Sequence, residues 1–116
     1  MGNFFKLIVW QKAKDLAVRI YKTSQGNRIS KDFGLKDQLQ RAAVSISANI
    51  AEGDELGSDK QSVKYFYIAK GSTAELMTQL IIANEIGYID NNELDQLLGE
   101  CKTISTMLRK IIMARS

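Results

Sequence analysis

Thirteen carboxylates, sixteen lysines and arginines, one cysteine and no histidine set the chemistry open to this chain. Without an imidazole there is no Ser-His or Cys-His nucleophile pair, no His-ligated zinc or di-iron centre and no imidazole general base. Cys101 stands alone, which excludes an internal disulfide, a CxxC redox pair and a Cys-rich zinc site. It falls on an apolar helical stripe, where a thiol is buried and inert. A carboxylate-only magnesium site would want acidic pairs one turn apart. Glu75 and Glu85 lie ten residues apart in one segment, and capping accounts for Asp90 and Glu93 in the cluster they form with Asp95. Neither a Walker-type nor a dinucleotide-type glycine loop occurs. The chain is expected to be no enzyme and to hold no metal and no cofactor.

Positive charge is what remains. The formal net charge is +3, and its distribution is uneven. Residues 1–31 hold Lys6, Lys12, Lys14, Arg19, Lys22, Arg28 and Lys31 against Asp15 alone, residues 32–57 are net acidic, and the rest is balanced. Lys12, Asp15, Arg19 and Lys22 follow three-four-three spacing, so the three cations share the side of a helix opposite Trp10, Ala13, Ala17 and Ile20. Such a row can neutralise phosphates and release their counterions, in a mode indifferent to base sequence and sensitive to salt. It can also be a solvated face whose cations pair with the acidic second segment. The candidate nucleic-acid-binding residues are Lys12, Lys14, Arg19, Lys22 and Arg28. Trp10 and Tyr21 fall on the inner side of the same segment and are expected to pack there.

Helices must position these groups. The length of 116 residues suits one domain spanning 1–116, and 45% hydrophobic with 25% charged residues is ordinary globular usage. The first helix is expected over about Leu7–Ser24. The second is expected over about Lys36–Glu52, or from near Asp32, with Leu35, Leu39, Ala42, Ile46 and Ile50 inward, Gly53 as a C′ residue and Asp54–Gly57 as the turn. The third opens with Ser58 and Gln61 as a capping box and carries Phe66, Ala69, Thr73, Leu76, Leu80 and Ala83 inward as far as Ile86-Gly87. The fourth opens with Asp90 and Glu93, then buries Leu94, Leu98, Cys101, Leu108 and Ile112. Short loops between long helices predict an all-α, antiparallel up-down four-helix bundle.

Two helices show more apolar surface than a surface helix needs. Val63, Tyr67, Ala74, Met77 and Ile81 form a second line on the third helix; Leu97, Ile104, Met107 and Ile111 form one on the fourth. Self-association is the expected use, with scattered exposed apolar residues as the other reading. The N-terminal apolar stretch is too short for a signal peptide, and no window approaches the roughly 18 apolar residues of a membrane span. A reduced cytoplasmic chain without membrane contact is expected.

Arg41-Ala42-Ala43-Val44-Ser45-Ile46-Ser47-Ala48-Asn49-Ile50-Ala51-Glu52-Gly53 is rich in Ala and Ser, so neighbouring backbones can approach closely. Arg41, Ser45 and Glu52 share one side, and Asn49 stands one heptad after Ala42, toward the core. Register-fixing by a buried Asn49 and local capping near Gly53 are both open. The segment closely resembles the signature of the small four-helix-bundle family first met in intervening sequences of bacterial 23S rRNA genes. The likeness extends to Val9–Ala13, to Gly34-Leu35 with Gln38-Leu39, to Ile68–Ser72 with Glu75-Leu76 and Thr78–Leu80, and to Gly87–Ile89. That family is similar in fold to the accessory variability protein of diversity-generating retroelements, a homopentameric barrel with a basic surface that binds nucleic acid and a reverse transcriptase.

The resemblance implies that Arg41, Asn49, Glu52 and Gly53 are architectural and that no residue is catalytic. It implies a homo-oligomeric, pentameric ring that binds RNA or DNA and serves as an adaptor for a protein such as a reverse transcriptase. The other reading is a protein-binding scaffold without nucleic acid. The chain departs from the family in having Ser47 where Pro is common, and in the acidic Asp54-Glu55-Leu56-Gly57 where a basic residue is usual.

Overall fold

Each of the three later helices begins where a side chain takes over an amide that the helix itself leaves unpaired. The amide of Leu35 donates to Asp32 Oδ1 (3.1 Å), that of Gln61 to Ser58 Oγ (3.3 Å) and that of Glu93 to Asp90 Oδ1 (2.8 Å). The computed structural model describes residues 3–56 and 58–116. Within them run α1 (Ile8–Thr23), α2 (Phe33–Glu55), α3 (Asp59–Glu85) and α4 (Asn91–Arg115), with short 3-10 turns at Phe4–Lys6 and Ile29–Lys31. No strand occurs among the described residues. The second helix thus starts at the earlier of its two expected points, because Asp32 is its cap. α3 stops at Gly87, whose φ of 88° only glycine adopts freely; Gly87 N–H donates to Asn84 O (3.0 Å) and Tyr88 N–H to Ala83 O (2.8 Å).

The four helices surround one core. All six inward residues expected on α3, from Phe66 to Ala83, are buried, as are Leu39, Ala42, Ile46 and Ile50 of α2. The second apolar lines of α3 and α4 part company. On α4, Leu97 and Ile104 are fully buried and Met107 and Ile111 pack against the core, because α4 lies against both α1 and α3. The apolar surplus expected on α4 is therefore ordinary core. On α3, Tyr67 and Ile81 face solvent, with Ile68 and Ile82 beside them. Tyr21 is also 45% exposed, contrary to its expected inward place, whereas Trp10 packs half-buried against the edges of Phe4 and Phe5.

Gly53 corrects the expected end of the second helix. α2 continues through it to Glu55, and Gly53 is buried between α2 and α3. A Cβ there would stand 3.0 Å from Phe66 Cε1 and 3.1 Å from Tyr65 Cβ. Ser62 Oγ donates to Gly53 O (2.6 Å) at this contact, and one further step along the pair Ser45 Oγ meets Ser72 Oγ (2.9 Å). The small residues of α2 do allow a close approach. The Asp54–Gly57 turn is replaced by helix at its start, and Gly57 lies outside the described residues. Asn49 neither caps a helix end nor sits fully in the core: half-buried, its Nδ2 donates to Ser45 O (2.8 Å) and Ser45 Oγ (3.0 Å).

Gly53→Ala sets a helix-propensity gain of about 1 kcal/mol against an overpacking cost of about 1–3 kcal/mol. Phe66 cannot move aside, since it is fully buried and the Arg115 guanidinium lies 5.0 Å from its ring centre. Urea denaturation should show Gly53→Ala less stable by about 1 kcal/mol, and Gly99→Ala, where nothing lies within 4 Å, more stable by about 0.5–1 kcal/mol.

Candidate nucleic-acid interface

α1 carries its cations along one side, but α4 runs beside that side and takes one of them. Arg19 Nη1 reaches Glu100 Oε2 (3.2 Å), and Nη2 reaches Glu93 Oε2 (3.2 Å) and Gln96 Oε1 (2.7 Å). Thr23 Oγ1 donates to the other Glu93 oxygen (2.8 Å). The expected row of three available cations is therefore interrupted at Arg19, whose side chain is only 29% exposed. Pairing with an acidic partner does occur, yet the carboxylates belong to α4 and not to the acidic second segment. Between α1 and α4 runs a cleft of about 510 Å³ whose walls include Lys12, Asp15, Arg19, Glu100 and Thr103. Its charges alternate, so it is no phosphate cradle.

The other candidate residues divide by position. Lys14 Nζ contacts its neighbour Asp15 (2.7 Å) where both side chains are well exposed, a pair of small energetic value. Lys12 and Lys22 are exposed and make no ion pair among the described residues. Arg28, in the connection after α1, donates weakly to Gly87 O (3.4 Å) and lies 5.4 Å from the Tyr88 ring centre. Tyr88 O–H in turn donates to Asp32 Oδ2 (3.0 Å), which raises the phenol above its ordinary pKa. These links tie the α1–α2 connection to the α3–α4 turn at one end of the bundle. Lys31 and Lys36 stand at the same end, and Phe33 is 73% exposed there with Lys36 Nζ 5.1 Å from its ring centre. The row-by-row reading of α1 missed this cluster. The one available signal was an aromatic residue directly after the Asp32 cap, between Lys31 and Lys36.

The motif residues of α2 are distributed over its outer side and its α3 side. Arg41 points into solvent and pairs with Asp37 one turn back (2.9 Å), Glu52 is exposed, and Gly53 alone is part of the core. Among the described residues no three His, Cys, Asp or Glu side chains come together as metal ligands. Asp90 and Glu93 are spent on capping α4 and on holding Arg19 and Thr23. Cys101 is fully buried, and burial, assisted by the Glu100 charge, pushes its thiol up to about 12. Among the described residues no helix is long and apolar enough to cross a membrane.

The family described as 23S rRNA-intervening sequence protein matches residues 5–110. Among solved structures the chain is similar to a protein of unknown function from the S23 ribosomal protein family of Bacteroides thetaiotaomicron. The two are 25% identical with a TM-score of 0.81, over 90% of this chain and 98% of the other. No curated protein matches the chain.

Arg19→Gln leaves Glu93 and Glu100 without the cation they share and should lower stability by about 1–2 kcal/mol in urea; Lys22→Gln should change it by less than about 0.5 kcal/mol. For Cys101, both folded and unfolded thiols are protonated below the ordinary value of 9.0. Between there and about 12 the unfolded chain ionises first, so stability should fall as pH rises through that window. Labelling by Ellman's reagent at neutral pH should be slow until denaturant is added.

Proposed function

The chain belongs to the 23S rRNA-intervening sequence protein family, and on that premise we propose that it works without catalysis, as a homo-oligomeric helical-bundle ring. The ring binds RNA or DNA electrostatically and acts as an adaptor for a nucleic-acid-processing protein. The observation that carries this reading is that α1 and the connection after it hold several exposed cations without ion pairs among the described residues: Lys12 and Lys22 on α1, with Arg28 and Lys31 beyond it. Each can neutralise one phosphate without first leaving a carboxylate, whereas Arg19 would have to give up three partners. The resemblance to the retroelement relative supports a pentamer, and the lone cysteine supports a reduced, cytoplasmic place of work. End-to-end contacts, Thr23 with Glu93 and Arg115 with Asp54 (3.1 Å), support an up-down order of the helices.

Self-association is supported by the α3 face. Tyr67, Ala74 and Ile81 recur every seventh residue, as do Ile68 and Ile82 at twice that interval, with Gly71 and Thr78 between them. All of these are exposed. A three-four apolar seam of this kind fits against another helix by knobs-into-holes packing. The scaffold reading uses the same face against a different protein, and salt separates the two. Nucleic-acid affinity should drop linearly with the logarithm of salt, while an apolar contact should barely respond.

Two measurements test the proposal. Light scattering should give a mass of several chains, and Ile81→Lys should reduce it toward one. Replacing Lys12 and Lys22 by Gln should weaken RNA and DNA binding uniformly across sequences and lower the salt slope by about one per residue removed. Unchanged retention of the double variant on RNA would overturn the basic-surface reading.

A further inference from the structure

We infer that the end of the bundle at Phe33 is a base-stacking platform, so that the nucleic acid held by this protein is single-stranded. The inference rests on the basic-surface reading and goes further, because a row of cations alone does not distinguish one strand from two. Among the described residues Phe33 is the most exposed large hydrophobic side chain, at 73%, although it occupies the first position of α2 directly after the Asp32 cap. Nothing in the described chain buries it. Lys36 Nζ, one turn on, lies 5.1 Å from the ring centre, close enough for a cation–π contact that orients the ring while keeping it at the surface.

The ring is set in positive charge. From Lys22 to Asp37 the chain carries Lys22, Arg28, Lys31 and Lys36 against Asp32 and Asp37, and Asp37 is paired with Arg41 one turn on (2.9 Å). Asp32 spends one carboxylate oxygen on the Leu35 amide and the other on the Tyr88 hydroxyl, so its charge is turned toward the protein. Tyr88 and Arg28 form a second aromatic–cation pair at the same end, with Arg28 5.4 Å from the ring centre, and this pair also anchors the connection against the α3–α4 turn. An aromatic ring flanked by lysines and arginines is what recognises unpaired nucleotides: the ring stacks on a base of any identity and the cations meet the flanking phosphates. A duplex offers the same phosphates but keeps its base faces within the stack, so it can use the cations and not the ring.

Fluorescence anisotropy with labelled oligo(dT), oligo(rU) and a blunt duplex of equal length tests this on the whole protein. The wild type should bind both single strands more tightly than the duplex. Phe33→Ala should weaken single-strand binding roughly tenfold and change duplex binding by less than about twofold. Phe33→Trp should keep single-strand affinity, and its added indole fluorescence should be quenched by oligo(dT). The exposure of Phe33 leaves the fold of both variants intact, which circular dichroism checks. If the wild type binds but Phe33→Ala loses nothing, or loses equally on strand and duplex, the stacking platform is overturned and the basic surface stands. If the wild type binds none of the three at low salt, both are overturned.

Discussion

The contact between Gly53 and Phe66 holds α2 and α3 at the distance on which the rest of the bundle depends. With no side chain at position 53, the backbone of α2 rests directly on the Phe66 ring and the Tyr65 Cβ. That proximity brings Ser62 to the Gly53 carbonyl and Ser45 to Ser72, so polar groups on both helices are satisfied across the interface. Arg115 also lies over the Phe66 ring, 5.0 Å from its centre, and reaches the nearly buried carboxylate of Asp54. The last turn of α4 is thereby tied to the same point. One missing methyl group coordinates three helices, because close-packed interiors have no slack with which to absorb it.

Charge follows the packing. Once α4 settles beside α1, Glu93 and Glu100 face Arg19, and three hydrogen bonds to one guanidinium are worth more than its exposure to water. Exposed cations without such partners remain at Lys12 along α1, at Lys22, Arg28 and Lys31 toward the bundle end, and at Lys60, Lys64, Lys102, Arg109 and Lys110 on α3 and α4. The basic surface is thus what the bundle leaves over after its own electrostatics are satisfied. A net charge of +3 understates its local strength, since the balancing carboxylates Asp32, Asp54 and Glu93 are engaged within the protein.

Local signals in the sequence were read correctly because their causes are local. Ser58 and Asp90 announce helix starts through bonds to amides three residues on, and the inward line from Phe66 to Ala83 needs only the helical period. The misread residues are those whose partners lie far along the chain. Gly53 before Asp54 has the form of a helix end, yet α2 continues because Phe66 needs the space. Arg19 has the spacing of an outward cation, yet its partners are more than seventy residues away. The second apolar line of α4 resembles the second line of α3, and the presence of α1 alongside α4 covers the one, while on α3 Val63 and Met77 touch the core and Tyr67, Ala74 and Ile81 stay exposed. Asn49 fits neither of its two readings, because its closest acceptors belong to Ser45 in its own helix.

The exposed α3 seam and the cationic end give the proposed assembly its logic. The cationic end of one protomer offers Lys22, Arg28, Lys31 and Lys36, and contacts of that number hold nucleic acid weakly at physiological salt. Joining copies through α3 repeats the same end around a ring without adding any contact within a protomer. A strand that engages one copy then meets the next at an effective concentration set by the ring's geometry, and total affinity rises by orders of magnitude. The seam occupies α3 and the cations occupy α1 and the α1–α2 connection, on elements separated by α2 and α4, so assembly need not cover the binding surface. Weak, base-indifferent contacts multiplied by symmetry suit an adaptor that must hold many sequences and release them. A single strong site would hold one sequence and keep it.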